Sequence, residues 1–208
     1  MPKNHKIVLA SGSPRRRELM DMIGAHYIVI PSQKDEDMSC SDPATLVERL
    51  AKMKAEDVAQ IINDRIKSGE LGNEYTDCVV IGCDTVVANN GQILGKPYND
   101  ENATKMIQAI EGHSHEVYTG VCILKMSGGE AEACENYSVC SRVHVAHMTD
   151  QEISDYVSTG ESLDKAGAYA VQGRFCPFIE GIEGDYYNIV GYPVHSIYKT
   201  LNELGISL

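Results

Sequence analysis

The sequence predicts an α/β protein with a mixed, twisted sheet flanked by helices, and three observations carry that expectation. The first 31 residues run apolar strand, capped helix, apolar strand, which is the interval of a βαβ unit, although spacing alone does not prove parallel pairing. "CVVIGCDTVVA" (78–88) is a nearly continuous apolar run, as in a strand buried on both faces. "HEVYTGVCILKM" and "ACENYSVCSRVHVAHM", separated by "SGGE", alternate in the manner of an antiparallel hairpin.

Each element follows from local signals. "KIVLA" (6–10) is a short β-type apolar run. The next helix has Ser13 as N-cap, Pro14 at its first position and Gly24 as its stop. "YIVIP" (27–31) reads as a second strand. "DPATLVERLAKMKAEDVAQIINDRI" is a long helix capped by Asp42, with an apolar stripe of Leu46, Val47, Leu50, Val58, Ile61 and Ile62. "KSGELGNEYTD" is a surface connection. "NNGQ" turns the buried strand back toward "ILGKP". "DENATKMIQAIEG" is a helix with Asp100 as N-cap and Gly112 as stop. "TDQEISDYVSTG" carries a capping box, Thr149 with Glu152. "LDKAGAYAVQGRF" is punctuated by glycine, and a last helix begins at Pro193.

At 208 residues the chain is long enough for one domain, 1–208, with room for two lobes. Net charge is −12, which argues against a long nucleic acid held by phosphate contacts but leaves room for a small polyanion at one basic pocket. No apolar run spans a bilayer and "MPKNHKIVLASGS" lacks a signal h-region, so a cytoplasmic protein with no membrane partner is expected. Seven cysteines form no C-x-x-C pair and are expected to be reduced and mostly buried.

Four places break local rules. "SPRRRELM" puts Arg15 and Arg16 in a first helical turn, where the dipole disfavours cations. With the free N–H groups of that turn, and Gly12 allowing close approach, they would form an anion site; otherwise they are solvated and pair with Glu18 or Asp21. Asp84 lies within apolar sequence, so it needs a metal, a cation or several donors, or it caps a turn structurally. Lys54 interrupts an apolar stripe, so it either snorkels or reaches an anion. Lys96 in "LGKPYND" sits on a rigid loop and by itself is an ordinary exposed lysine. The histidines at 113, 115, 144 and 147 lack the partners of a zinc site. No P-loop, G-x-G-x-x-G or G-x-S-x-G is present.

"LASGSPRRRELM", "AKMKA", "IGCDTVV", "LGKP", "YTGV", "LDKAGAYAVQG" and "GDYYNIVGYPV" occur in that order, and with them the chain resembles the Maf family of nucleotide pyrophosphatases over almost its whole length. The resemblance implies a Maf/ITPase-like fold with a central cleft between two lobes. It implies hydrolysis of a nucleoside triphosphate to the monophosphate and pyrophosphate, with a divalent cation, Mg²⁺ or Mn²⁺. Asp84 matches the family's proton acceptor, while Ser11, Arg15, Arg16, Glu36, Lys54 and Lys96 match groups around the triphosphate and metal. The metal ligands are assigned to Glu36 and Asp84, with Asp35 and Asp37 as neighbouring alternatives to Glu36. Arg15, Thr85 and Gln172 match positions that mark the subfamily acting on dTTP and UTP. A glutamine amide both donates and accepts, which suits the O4 and N3–H edge of uracil or thymine.

Two departures stand out: Cys83 replaces the usual alanine, and residues 62–75 look longer than typical and are expected at the surface. The expected partner is thus a small nucleoside triphosphate, and a homodimer is compatible with the chain. The competing expectations are a nucleotide-binding regulator of septum formation and an anion-binding module. The first would not need a carboxylate in a phosphate pocket, where Asp84 would repel the ligand, and the second would not need the Gln172 segment.

Overall fold

The computed structural model describes residues 5–207. Its seven-stranded sheet has the order β2-β1-β3-β5-β6-β7, with β4 also paired to β3. β1 (Lys6–Leu9) runs parallel to both β2 (Tyr27–Val29) and β3 (Cys78–Asn89), and α1 (Pro14–Met22) makes the crossover of the expected βαβ unit. β4 (Gln92–Leu94), β5 (Ser114–Ser127), β6 (Glu130–Val145) and β7 (Ile179–Glu183) join antiparallel, so the sheet is mixed as expected.

α2 (Pro43–Ser68) covers one face of the sheet. Asp42 caps it, accepting from Thr45 N at 2.8 Å, and Gly69 ends it at φ 80°. Its buried stripe includes Leu46, Val47, Leu50, Val58 and Ile62, while Ile61 of the expected stripe is only half-buried. Two glycines let the helix backbone lie directly on the strands. A Cβ on Gly82 of β3 would stand 2.3 Å from Ala51 O, and one on Gly120 of β5 would stand 2.1 Å from Val47 O. Gly120 is the register partner of Asp84, and Asp84 shares a strand face with Gly82. The close approach therefore brings α2 to the carboxylate.

β1 pairs with β3 only as far as Leu9↔Ile81, and β4 takes up that edge only from Val87. Between them, β3 has an open edge in the middle of the sheet. The candidate site is built along that gap.

The remaining helices are α3 (Asp100–Ile110), α4 (Asp150–Ser158), α5 (Tyr186–Val190) and α6 (Val194–Glu203). The "NNGQ" turn is as expected, with Asn90 at φ 50° and Gly91 at φ 77°. The α4 capping box is present.

Several expectations need correction. The N-cap of α3 is Asn99, whose side chain accepts from Asn102 N at 2.8 Å, and Asp100 lies in the first turn. Either residue type can cap, and the chain turns extended one residue earlier. Ser13 occupies the N-cap of α1 but makes no side-chain capping bond. Only Cys78, Cys83 and Cys122 are buried; Cys134, Cys140 and Cys176 are exposed and Cys40 is intermediate, because Cys134 and Cys140 lie on β6, outside the central strands, and Cys40 and Cys176 lie in connections. β7 and α5 carried no periodic signal: "IEGIE" mixes glycine with glutamate, and α5 is five residues long.

Candidate active site

Asp84 is buried, 7% exposed, on the α2 face of β3. Lys54 reaches it from the stripe position in α2: its Nζ lies 2.5 Å from Asp84 Oδ1 and 2.6 Å from Glu36 Oε1. The interruption in the apolar stripe is thus explained by an anion, not by snorkelling. Burial pushes the Asp84 carboxyl up, and Glu36 adds to this, against the opposing pull of Lys54 and Arg16. For Glu36 burial opposes ionisation too, yet Lys54, then Lys96 and Arg16, hold its carboxyl below the usual range. Asp35 and Asp37 do not join this cluster: Asp37 pairs with Arg49 at 3.2 Å.

Arg16 faces the opposite side of the same strand. It is 9% exposed, and its guanidinium bridges three parts of the chain. Nε donates to Gly191 O (2.8 Å), Nη1 to Ser11 Oγ and Cys83 O (both 2.9 Å), and Nη2 to Thr85 Oγ1 (3.1 Å). The Cys83 carbonyl belongs to the open edge of β3, so the guanidinium closes a ladder position that no strand fills. Four of its five N–H groups are engaged, which leaves one on Nη2 for a ligand. Thr119 donates its hydroxyl proton to Asn188 O at 3.0 Å, so the 2.9 Å bond between Thr85 and Thr119 must run from Thr85. The result is one directed chain from Arg16 through Thr85 and Thr119 to the backbone of α5.

These groups line a cleft of about 1050 Å³. Arg15, Arg16, Lys54, Lys96 and Lys165 supply cations, and Glu36 and Asp84 supply oxygen donors. Val86, Val117, Tyr169, Val171, Ile189 and Val190 make an apolar lining, with Gln172 exposed beside it. Of the residues expected at the site, only Ser11 is off the cleft wall; it lies behind Arg16 and orients it. Among the described residues, no ion pair joins Arg15, Arg16 or Arg17 to Glu18 or Asp21. Arg17 is exposed on the outer side of α1.

Sequence reasoning missed Lys165 and its ion-pair partner Asp164, which also line the cleft. The signal available was Gly167, at φ 68°, where a Cβ would stand 2.9 Å from Val87: a backbone pressed against β3 must carry its neighbours into the cleft. It also missed Asn188, fully buried, which donates to Val117 O and Ser141 Oγ at 3.0 Å and so pins α5.

The donor set fits a hard divalent cation. Glu36 and Asp84 bring two carboxylates to one point, now shared by Lys54 Nζ, and such a site completes its coordination with phosphate oxygens and water. Among the described residues no group of three or more His, Cys, Asp or Glu is placed to form an all-protein cage.

Fold and cleft together define an α/β protein with one cleft that is cationic at one end and apolar along its far wall. The chain belongs to the Maf family: the family described as Maf-like protein matches residues 6–204. It is 44% identical to a dTTP/UTP pyrophosphatase of Lachnoclostridium phytofermentans over 98% of both chains. The dTTP/UTP pyrophosphatase of Agathobacter rectalis is 41% identical (98% of this chain, 99% of its own), and that of Clostridium novyi 40% (98% and 100%). A solved nucleoside-triphosphatase / dITP/XTP pyrophosphatase from Mycobacterium abscessus overlaps 96% of this chain and 94% of its own, at TM-score 0.42 and 11% identity, too slight a likeness to carry an argument.

Proposed function

We propose that this chain hydrolyses dTTP and UTP, and modified pyrimidine nucleotides of the same shape, to the monophosphate and pyrophosphate, clearing the nucleotide pool of the cytoplasm. The observation that carries the reading is the Lys54 bridge between Asp84 and Glu36, in a cleft whose far wall is apolar. The relatives' activity and the expected roles of Gln172, Thr85 and Arg15 agree with it. Among the described residues no helix is long and apolar enough to cross a membrane.

Hydrolysis of a phosphoanhydride is a problem of position and charge. Arg15, Lys96, Lys54 and the free N–H of Arg16 neutralise the triphosphate, and the uncapped first turn of α1 adds main-chain donors. Bound Mg²⁺ or Mn²⁺, held by Glu36 and Asp84, would supply further charge neutralisation at the phosphates. Asp84, made more basic by burial, orients a water and takes its proton as the oxygen bonds to the α-phosphorus. The bond from the α-phosphorus to the bridging oxygen breaks, and pyrophosphate leaves. Gln172 reads the pyrimidine edge through one acceptor and one donor. A purely regulatory nucleotide binder is not favoured, because Asp84 in the phosphate end would weaken binding without serving turnover.

The test is a pyrophosphate-release screen over canonical and modified triphosphates, with Mg²⁺ or Mn²⁺, in wild type and Asp84→Asn. Release from dTTP and UTP above the other substrates is expected, with Asp84→Asn keeping nucleotide affinity and losing turnover. Near-normal turnover in Asp84→Asn would remove its role as base.

A further inference from the structure

Thr85 and Thr119 face each other across β3 and β5 as register partners, and the bond between them has one direction. Thr119 is fully buried, and its one hydroxyl proton goes to Asn188 O, a carbonyl that can only accept. The Thr85 proton therefore goes to Thr119 Oγ1, 2.9 Å away, because two oxygens that close with no proton between them repel. Arg16 Nη2, which can only donate, takes one of the two lone pairs of Thr85 Oγ1 at 3.1 Å. One lone pair is left, and no proton.

Thr85 is half-buried on the cleft wall, so that lone pair is the hydroxyl's only means of bonding a ligand. Gly191, on the same wall, leaves the space beside the oxygen open: a Cβ there would stand 3.1 Å from Thr85 Oγ1 and 3.7 Å from Arg16 Nη2. An ionised triphosphate presents acceptors only and would be repelled at that oxygen. The group that meets Thr85 is thus a donor on the nucleoside. The nucleoside of dTTP carries two, the sugar 3′-OH and the base N3–H.

We propose that Thr119 is a positioning residue for substrate selection: by taking the Thr85 proton it holds Thr85 as an acceptor, facing a sugar hydroxyl or the base N3–H of the bound nucleotide. The inference rests on the proposed reading of the cleft as a dTTP and UTP site. Without the Thr119 hydroxyl, Arg16 cannot take the Thr85 proton in its place, so the proton turns toward the cleft and donor meets donor. The change spares α5, because Asn188 O also accepts from Gly191 N at 2.9 Å and keeps that partner.

The experiment measures kcat/KM for dTTP, its 3′-deoxy analogue and its N3-methyl analogue, with thermal midpoints. The proteins are wild type, Thr119→Val, Thr119→Ala, Thr119→Ser, Thr85→Val and the double variant Thr85→Val/Thr119→Val. Thr119→Val keeps the side-chain shape and is expected to lower the preference for dTTP over one analogue about tenfold, on the order of one oriented hydrogen bond, with the other preference unchanged. Loss against the 3′-deoxy analogue assigns the donor to the sugar, and loss against the N3-methyl analogue assigns it to the base. Thr119→Ser restores a hydroxyl and should return that preference to within about threefold of wild type, which a packing defect would not do. Thr119→Ala should show the same loss as Thr119→Val if the latter does not fold. In the double variant the second substitution should change neither preference, because no Thr85 proton remains to be directed. Both preferences unchanged in Thr119→Val and Thr119→Ala, with one collapsed in Thr85→Val, overturns the role of Thr119. Both falling together with the midpoint, without rescue by Thr119→Ser, overturns it as well. Both unchanged in Thr85→Val overturns the acceptor at Thr85. None of these outcomes touches the proposed hydrolysis, which fails if wild type releases no pyrophosphate from dTTP.

Discussion

Arg16 Nη1 donates to the Cys83 carbonyl at 2.9 Å, across 67 residues of chain, on the one stretch of β3 edge that neither β1 nor β4 pairs. The same guanidinium touches Thr85 and Gly191, so it orders the cleft from beneath.

Arg15 and Arg16, adjacent in sequence, should therefore fail differently. Arg16→Lys loses the planar fork and strands buried acceptors, so it should lower the thermal midpoint and cost about 2–4 kcal/mol in denaturant unfolding as well as activity. Arg15→Ala should leave the midpoint near wild type and raise KM or lower kcat for dTTP about tenfold or more. Equal loss of stability in both variants would contradict the division.

Lys54→Met leaves Asp84 and Glu36 facing one another without their shared cation. The metal-free variant should melt below wild type, since breaking a buried pair costs about 3–5 kcal/mol at most and less here because Glu36 is 45% exposed. Mn²⁺ or Mg²⁺ should raise its midpoint more than that of wild type, because the vacated point is where the two carboxylates would bind a cation. Thermal shift against metal concentration, without nucleotide, reads this directly. An equal shift in Asp84→Asn/Lys54→Met would dismiss Asp84 as a ligand.

His115 is buried, with Nε2 at 2.7 Å from Tyr169 OH, behind the apolar wall of the cleft. Burial, with His144 adding to it, lowers its pKa from 6.5 to about 4. Between those values the unfolded chain takes up a proton that the folded chain refuses. The contribution is complete above about pH 6.5 and is lost as pH falls toward 4, a change of about 2–3 kcal/mol. His115→Gln keeps a polar partner for Tyr169 and should flatten the stability profile over that window. Denaturant unfolding at pH 7 and pH 4.5 in both proteins isolates the effect; parallel profiles would rule it out.

Much of the charged end of the cleft was legible because its residues break local patterns. A carboxylate amid valines, a lysine in an apolar stripe and arginines at a helix start each contradict their immediate neighbours, and the structure brings Asp84, Lys54 and Arg16 to one strand. What the local pattern could not convey was the partner. Arg16 is held by Gly191, 175 residues away, and nothing near either position announces the other. Asn188 was illegible for a related reason: it pins the Val117 carbonyl, a group of the kind every residue carries, and a serine 47 positions away. The helix and strand types followed from periodicity except where elements were too short to have one, as in β7 and α5.

The bonds of Arg16 reach residues 5, 67, 69 and 175 positions along the chain. Contacts of such separation form only when the ends of the chain have docked. The Arg16 end of the cleft is therefore complete only when residues near both ends of the chain have come together.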